Sequence, residues 1–258
     1  MDYQLHHRIV VWMEEAARRL RASLDQTIQV KEKSDRADLV TNMDRETEAF
    51  FVEKIRQYYP DHRILGEEGC SDQPEDHQGM IWLIDPIDGT LNFVKQQNNF
   101  GIMIGLFEDG NPVAGYIYNV MPGDLYYGIV GEGAYLNHQP LEPLAIDSLS
   151  QGLIIGNIGN FADNKLNINA LLATSLGARS YGAAALEIIS VIRGESALYL
   201  STGLNPWDFG AGYCICETMG LKVTTHTGQP LDILRKSPVL FASPRIHQEA
   251  LEILANQD

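Results

Sequence analysis

The sequence of 258 residues predicts a protein of mixed α and β structure, with an α+β half at residues 1–145 and an α/β half at residues 146–258. The N-terminal half opens with two amphipathic helices and continues with closely spaced strands, a pattern typical of an antiparallel sheet. In the C-terminal half, apolar strands alternate with helices, as they do in α/β proteins. These two patterns define the predicted fold class.

The elements of the N-terminal half are predicted from periodicity and from turn residues. A helix is expected at residues 3–24, and a second from about Asp44 to Pro60, because proline cannot continue a helix. Short strands should follow at residues 81–84, 101–107, 113–120 and 125–130. They are separated by the turn sequences EDGNP, MPGD and GEGA.

The elements of the C-terminal half follow from apolar runs and capping residues. Strands are predicted at residues 152–156, 197–200 and 238–242. Helices are predicted near residues 164–176, 183–194 and 207–219. The last helix has Ser243 as its N-cap and Pro244 at its first position, where proline is well tolerated.

The composition excludes some classes of protein. The net charge of −15 would repel a nucleic-acid backbone, so direct binding to nucleic acid is not expected. No apolar run approaches the roughly 20 residues of a membrane helix, and the charged N-terminus is unlike a signal peptide. The cysteines, Cys70, Cys214 and Cys216, form no CxxC pair, which favours reduced thiols and a cytoplasmic protein.

The stretch WLIDPIDGTLNF, residues 82–93, contains the most informative carboxylates. A buried strand runs into Asp85 and Asp88, which flank a proline and precede Gly89. A strand end followed by an ordinary turn would explain these residues. A helix beginning after Gly89 would instead present the free N–H groups of Thr90 and Leu91 to a phosphate.

Further acidic residues occupy similar positions. Asp44 and Asp208 each open a predicted helix and could be simple caps, while Glu67 and Glu68 could be solvated loop charges. Taken together, these acids fit a hard-cation site, because Mg²⁺ takes a few carboxylates, water and phosphate oxygens. Two such ions can activate water and stabilise the leaving oxygen of a phosphate ester. The sequence contains no GxSxG, HExxH or P-loop motif that would compete with this interpretation.

The motifs resemble those of the inositol monophosphatase family, which is related to fructose-1,6-bisphosphatases. WLIDPIDGTLNF resembles the central motif, GEEG the GEE motif, DLVTNMD the upstream motif and NPWDFGAG the C-terminal motif, while RSYGAAALEI resembles a pocket-lining segment. They occur in family order across residues 33–212. The resemblance implies a layered αβαβα sandwich, Mg²⁺-dependent hydrolysis of a phosphomonoester, lithium sensitivity and a homodimer.

The resemblance also implies roles for individual residues. Metal would be bound by Glu67, Asp85, the Ile87 carbonyl, Asp88 and Asp208. Thr90, paired with Asp44, would orient or activate the attacking water. Substrate would be bound by Asp88, Gly89, Thr90, Gly182, Ala184, Ser201 and Asp208. A lysine, either Lys33 or Lys31, would lie in a loop near the site.

Ser201 and Cys70 are two residues at which the chain differs from the family pattern or adds to it. The family usually has a substrate-binding glutamate seven residues before the last aspartate, where this chain has Ser201. The serine predicts a broader pocket, unless Glu187 or Asn205 takes over the contact with a substrate hydroxyl. Cys70 follows the GEEG motif and is interpreted as an incidental thiol rather than a redox switch.

The expected substrate is a small phosphorylated metabolite, with inositol monophosphate as the family default. Phosphatase activity on NADP(H) or on fructose 1,6-bisphosphate is the alternative within the same chemistry. A partner-binding role in transcription or RNA processing is the alternative from another class.

Overall fold

The computed structural model describes residues 2–26, 29–32, 39–69 and 71–255. The helices are α1 Tyr3–Ser23, α2 Asn42–Tyr58, α3 Thr90–Gln96, α4 Ile158–Ala162, α5 Ile168–Thr174, α6 Ala184–Ile192, α7 Pro206–Thr218 and α8 Pro244–Ala255. The strands are β1 Val30–Glu32, β2 Leu39–Thr41, β3 Arg63–Gly66, β4 Met80–Asp88, β5 Gly101–Glu108, β6 Asn111–Asn119, β7 Asp124–Ile129, β8 Gly133–Leu136, β9 Gln139–Pro140, β10 Leu153–Ile155, β11 Gly177–Arg179, β12 Leu198–Leu204, β13 Lys222–Thr224 and β14 Ser237–Ala242.

Two sheets organise the molecule. The larger has the strand order β3-β4-β5-β6-β7-β8-β9 and is antiparallel except for the β3–β4 pair, which is parallel. The smaller has the order β11-β10-β12-β14-β13, with parallel pairing of β10 to β11 and β12 and antiparallel pairing elsewhere. The predicted antiparallel sheet is therefore confirmed, with one parallel strand added at its edge.

Three hydrophobic clusters lie between successive layers. The first joins α1 and α2 to one face of the larger sheet. The second surrounds α6 and α7, which lie between the two sheets. The third joins α5 and α8 to the outer face of the smaller sheet. The expected αβαβα sandwich is confirmed.

Helix α7 approaches the larger sheet unusually closely. Gly105, Gly115 and Gly128 are paired across β5, β6 and β7, so they form one groove in the sheet. A Cβ atom on Gly115 would lie 2.0 Å from the backbone oxygen of Ala211 in α7. Because only glycine leaves room for this contact, the groove fixes the depth at which α7, and hence Asp208 in its first turn, is held.

One predicted helix is shorter than expected. The pattern at residues 164–176 favours one continuous helix, but the structure has a short 3₁₀ turn at Lys165–Asn167 and then α5, which begins only at Ile168. Asn164, Leu166 and Asn167 adopt positive φ values of 49°, 54° and 57°. A right-handed helix cannot pass through such residues, and asparagine tolerates this conformation better than most.

Some expectations fall outside the described residues. Lys33, Cys70 and Asp38, the first residue of the DLVTNMD motif, belong to this group. Within the described part of the chain, no helix is long and apolar enough to cross a membrane. Cys214 and Cys216 are buried free thiols. The division near residue 145 into two halves stays a prediction.

Candidate active site

The carboxyl end of β4 contains an irregularity that places two carboxylates on the same side of the sheet. Asp85 pairs with Met103 and Asp88 with Gly101, so β4 has one more residue than β5 over this interval. Residues that alternate regularly would put positions 85 and 88 on opposite faces, but a bulge of one residue restores them to the same face. Both aspartates therefore point towards α6 and α7, and the predicted strand 81–84 extends to Asp88.

Asp88 is held by the first turn of α6. Its Oδ1 accepts the backbone N–H of Ala184 at 3.1 Å, and its Oδ2 accepts that of Ala185 at 2.7 Å. The pKa of Asp88 is raised to about 8, chiefly by burial and also by the Asp208 charge, although these two N–H groups oppose the rise. The residue therefore joins the larger sheet to the helices between the sheets.

Asp85 lies deeper at the same strand end. Its Oδ1 accepts the backbone N–H of Ile87 at 3.1 Å. Burial raises its pKa well above the ordinary value, and the charges of Glu67, Asp88 and Asp208 raise it further. A carboxylate in these surroundings is costly to ionise without a nearby positive charge.

Asp44 and Thr90 come together from distant parts of the chain. Asp44 is fully buried in the first turn of α2, where its Oδ2 accepts the N–H and the hydroxyl of Thr41 at 2.8 and 2.6 Å. Its Oδ1 lies 2.9 Å from the Thr90 hydroxyl oxygen, which is also 3.0 Å from the carbonyl oxygen of Ile87. Burial raises the pKa of Asp44 to about 6, against the hydrogen bonds from Thr41 and Thr90.

Asp208 occupies the equivalent position in the first turn of α7. Its Oδ2 accepts the backbone N–H of Asn205 at 2.8 Å and the side-chain amide of Asn205 at 3.3 Å. Its pKa is raised to about 7, chiefly by burial and also by the Glu67 charge, while the hydrogen bonds from Asn205 and the Lys236 charge oppose the rise. One carboxylate oxygen thus accepts the N–H of the residue that caps the helix, as in Asp44. Asp208 also lines the cavity.

Glu67 lies in the loop after β3, next to a buried acid from α2. Glu48 is fully buried, and its Oε2 accepts the backbone N–H of Glu68 at 2.6 Å. The Glu68 side chain is only 2% exposed and lies 3.8 Å from the Arg45 guanidinium, so its interpretation as a solvated loop charge is wrong. Gly66 leaves no room for a Cβ, which would meet the Glu48 carboxyl at 2.7 Å.

These residues line or adjoin a cavity of about 780 Å³. The acidic residues on its wall are Glu67, Asp85, Asp88, Glu187 and Asp208. Among the residues that the structure describes, no three histidine, cysteine or acidic side chains enclose a cation by themselves. Mg²⁺ usually completes its shell with water and substrate oxygens, so an open acidic wall suits this ion.

The expected substrate residues lie around the same cavity. Gly89, Gly182, Ala184 and Ser201 all line it. Glu187, proposed as a substitute for the missing glutamate, already accepts the backbone N–H groups of Tyr181 and Gly182 at 3.0 and 3.1 Å through Oε1.

Several residues of the cavity and its surroundings lie outside the motifs from which the site was predicted. Glu48 could have been suspected because it lies one helical turn after Asp44, on the same face. Asn160 and Lys236 come from α4 and from the residue before β14, far from every motif. Only the folded chain brings these two residues to the cavity.

Comparison with known proteins identifies the family. The family model described as "Inositol monophosphatase family" matches residues 7–257. This chain belongs to the inositol monophosphatase family. The inositol-1-monophosphatase of Bacillus subtilis (strain 168) is 40% identical over 245 residues, which cover 93% of this chain and 92% of that protein.

Solved structures of this family share the fold. An IMPase/NADP phosphatase complexed with Mg²⁺ and phosphate has a TM-score of 0.90 and 30% identity, covering 98% of this chain and 96% of that one. The inositol monophosphate-bound SaIMPase-II has a TM-score of 0.86 and 37% identity, covering 96% of this chain and 92% of that one. The family resemblance inferred from the motifs is confirmed.

Proposed function

We propose that the protein is a Mg²⁺-dependent phosphomonoesterase that hydrolyses a small phosphorylated metabolite, with inositol monophosphate as the leading substrate. The observation that carries this proposal is the convergence of Asp85, Asp88 and Asp208 on one cavity, beside the hydrogen-bonded pair of Thr90 and Asp44. Membership of the family supports it, since relatives are named inositol-1-monophosphatase.

The acidic wall fits Mg²⁺ by its chemistry. Glu67, Asp85, the Ile87 carbonyl, Asp88 and Asp208 would hold the metal, because they offer only oxygen ligands and their negative charges raise one another's pKa. Bound metal would lower the pKa of a water molecule and neutralise charge on the phosphoryl group.

The pair of Thr90 and Asp44 would position the attacking water. A hydroxyl has one hydrogen, so when Thr90 donates it to Asp44, the threonine oxygen is left to accept a hydrogen bond from water. Asp44 has a pKa of about 6 and is therefore mostly ionised above pH 7, the form that accepts this hydrogen. The pair thus orients the water so that a lone pair faces the phosphorus. Asp44 can then take up the proton of that water through the Thr90 hydroxyl.

The substrate would lie between the strand end and the helices between the sheets. Its phosphate would face Asp88 through the metal, together with the first N–H groups of α3 at Thr90 and Leu91. Its alcohol would face Gly182, Ala184, Ser201 and Asp208 across the cavity.

The activity is tested with a panel of phosphomonoesters that includes inositol 1-phosphate, NADP⁺ and fructose 1,6-bisphosphate. We expect hydrolysis with Mg²⁺, complete loss with EDTA, recovery on adding Mg²⁺ back and inhibition by Li⁺. If the protein released phosphate from none of the compounds in the panel, the proposed function would be wrong.

The identity of residue 201 should tune the choice of substrate. Ser201 is buried at the cavity and neutral, so it neither reaches as far as a glutamate nor repels a second phosphate. We expect Ser201→Glu to shift the ratio of kcat/KM values towards inositol 1-phosphate and against NADP⁺, since specificity is a difference between two affinities. Ser201→Gln, equal in length but uncharged, is the matched control. An unchanged ratio in Ser201→Glu would assign the hydroxyl contact to another residue.

The wider setting is also part of the proposal. We infer a cytoplasmic homodimer that binds neither membrane nor nucleic acid. Size-exclusion chromatography with light scattering tests the dimer. A pull-down with the inactive Asp85→Asn protein tests the alternative role as a partner-binding regulator of transcription or RNA processing.

A further inference from the structure

One wall of the cavity carries hydrogen-bond donors that the proposed reaction does not use. Asn160 is 6% exposed and lines the cavity, and its Oδ1 accepts the Thr202 hydroxyl at 3.2 Å. No residue that the structure describes accepts a hydrogen bond from its Nδ2. A buried amide that lines a cavity, with its acceptor oxygen satisfied and no described partner for its donors, is suited to a ligand with acceptor oxygens.

A lysine stands beside this amide. Lys236 is the one basic residue among the described residues that line the cavity. A Cβ added to Gly203 would lie 3.1 Å from its Cε, so its side chain passes directly over β12. Within the described part of the chain, no carboxylate lies within 4.0 Å of its ammonium group, although its charge is close enough to lower the pKa of Asp208.

Both side chains lie beside β12 and line the same cavity. Asn160 accepts the hydroxyl hydrogen of Thr202, the Lys236 side chain passes over Gly203, and Thr202 and Gly203 are consecutive residues of the cavity wall. Ser201, the residue that replaces the family's glutamate, comes directly before them. A negative charge at that position would lie next to the donors and oppose any anion that they bind.

We propose that Asn160 and Lys236 form a subsite for a second phosphate group on the same substrate molecule. The inference rests on the proposed function, because it assumes that the first phosphate binds at the acidic wall. The remaining walls of the cavity are acidic and would repel a second phosphate, whereas an ammonium and an amide offer it charge and donors. The neutral Ser201 adds no negative charge beside this subsite.

The test compares two compounds that differ by one phosphate, inositol 1-phosphate and inositol 1,4-bisphosphate. The measured quantity is the ratio of kcat/KM for the bisphosphate to that for the monophosphate. Using a ratio removes any effect of Lys236 on the metal site through Asp208, since both compounds share that effect. We expect Lys236→Met to lower the ratio about tenfold and Asn160→Ala to lower it about threefold, as for charged and neutral hydrogen bonds respectively. The lower kcat/KM should come from a higher KM rather than a lower kcat, because the contact stabilises the bound substrate and the transition state equally.

The control is Arg235→Met, which removes a positive charge from the adjacent residue. Arg235 is exposed, pairs with Asp232 at 3.2 Å and does not line the cavity, so the ratio should stay within about twofold. A ratio unchanged in Lys236→Met, or lowered equally in Arg235→Met, would overturn the subsite.

A binding measurement separates failure of the subsite from failure of the proposed reaction. Calorimetry with Ca²⁺, which takes the same oxygen ligands as Mg²⁺, reports the affinity for each compound without requiring turnover. If the wild type hydrolyses neither compound but binds the bisphosphate more tightly through Lys236, the reaction is wrong and the subsite stands. If both compounds bind equally in the wild type and in Lys236→Met, the subsite is wrong.

Discussion

Asp85 is the carboxylate with the most acidic surroundings in the site. Burial and the charges of Glu67, Asp88 and Asp208 all raise its pKa. An asparagine keeps the oxygen that accepts the N–H of Ile87 but removes the charge. We expect Asp85→Asn to lower kcat by at least a hundredfold, about 2.7 kcal/mol of transition-state stabilisation. Without metal, the variant should melt at the same temperature as the wild type or higher, because it relieves repulsion.

The matched control for this change is Asp163→Asn. Asp163 is exposed and pairs only with Lys165 at 3.6 Å, so its loss should leave kcat unchanged. If Asp85→Asn kept more than about a tenth of the activity, it would have lost under about 1.4 kcal/mol, and the metal assignment would be wrong.

Asp44 and Thr90 should act as one unit. We expect Thr90→Ala and Asp44→Asn each to reduce kcat more than they raise KM, because the pair serves the water rather than substrate binding. The double variant should be little worse than either single variant, because contacting residues of one network are non-additive. Steady-state kinetics on all three proteins checks this expectation.

Thr41→Val separates the catalytic role of Asp44 from its structural one. The variant removes the hydrogen bond that the Thr41 hydroxyl donates to Asp44 and the helix-capping bond that it accepts from the N–H of Met43, and it leaves the contact with Thr90 in place. It should lose about 1 kcal/mol of stability, a typical value for a cap, with a smaller fall in kcat than Asp44→Asn. If Thr41→Val and Asp44→Asn lowered kcat equally, or if the effects of Thr90→Ala and Asp44→Asn were additive, Asp44 would be only a helix cap.

At the scale of secondary-structure elements, α2 and α7 begin in the same way. Each has an aspartate three residues after its N-cap that accepts the backbone N–H of the cap residue. The roles of helix cap and site residue, which the sequence presents as alternatives, are therefore compatible in one carboxylate. Each carboxylate uses one oxygen to start the helix, which fixes the direction in which the other points.

Helix α2 also positions the loop that carries Glu67. Glu48 accepts the N–H of Glu68 with its buried carboxylate, so a change at residue 48 should move the loop without touching the substrate. We expect Glu48→Gln to raise the Mg²⁺ concentration for half-maximal activity about tenfold, the usual effect of losing an outer-shell partner, with kcat at saturating Mg²⁺ much less affected. Glu53→Gln makes the same chemical change on an exposed face of α2 and should have no effect. A fall in kcat that Mg²⁺ does not restore would contradict a positioning role.

Some elements could be predicted from local sequence and others could not. The strand before Asp85 and the helices at residues 183–194 and 207–219 have strong local signals, and they are present. The helix predicted at residues 164–176 begins only at Ile168, because the backbone conformations at Asn164 and Asn167 interrupt an apolar pattern that is otherwise helical. The bulge in β4 was invisible because an unbroken apolar run does not show which residue faces which side.

At the scale of the whole molecule, the site couples stability to pH. Asp88 and Asp208 have folded-state pKa values raised to about 8 and about 7, above the ordinary aspartate value. Their contribution to stability is complete below the unfolded pKa and is lost as the pH rises through the folded values. In EDTA, the melting temperature should therefore fall between pH 7 and pH 8.5. Histidines with lowered pKa values, such as His6 and His62, are mostly neutral in both states across this range.

Mg²⁺ should reverse this trend, because it binds the ionised carboxylates and only in the folded protein. The increase in melting temperature on adding Mg²⁺ should grow from pH 7 to pH 8.5. Asp88→Asn should flatten the dependence in EDTA. Calorimetric scans across this range check both statements, and a melting temperature in EDTA that rises with pH would contradict them.

The sequence predicted the acidic residues that line the cavity but not its full lining. The acids lie in motifs, each with a local reason to be noticed. Asn160 and Lys236 are single polar residues that reach the cavity only because β12 lies between their elements. Such juxtapositions depend on strand order, which no short stretch of sequence encodes.

The extra residue in β4 determines towards which face of the sheet each later side chain of the strand points. Ile84 and Ile87 both belong to the core beside α1 and α2, although an odd spacing in a regular strand would separate them. A regular strand of the same sequence, without the bulge, would keep every acidic residue of the site, yet it would turn Asp88 towards α1 and α2 and away from Ala184. A related chain could therefore retain all these carboxylates and still have lost the active site, and a pairing of β4 with β5 that lacks the bulge would be the sign.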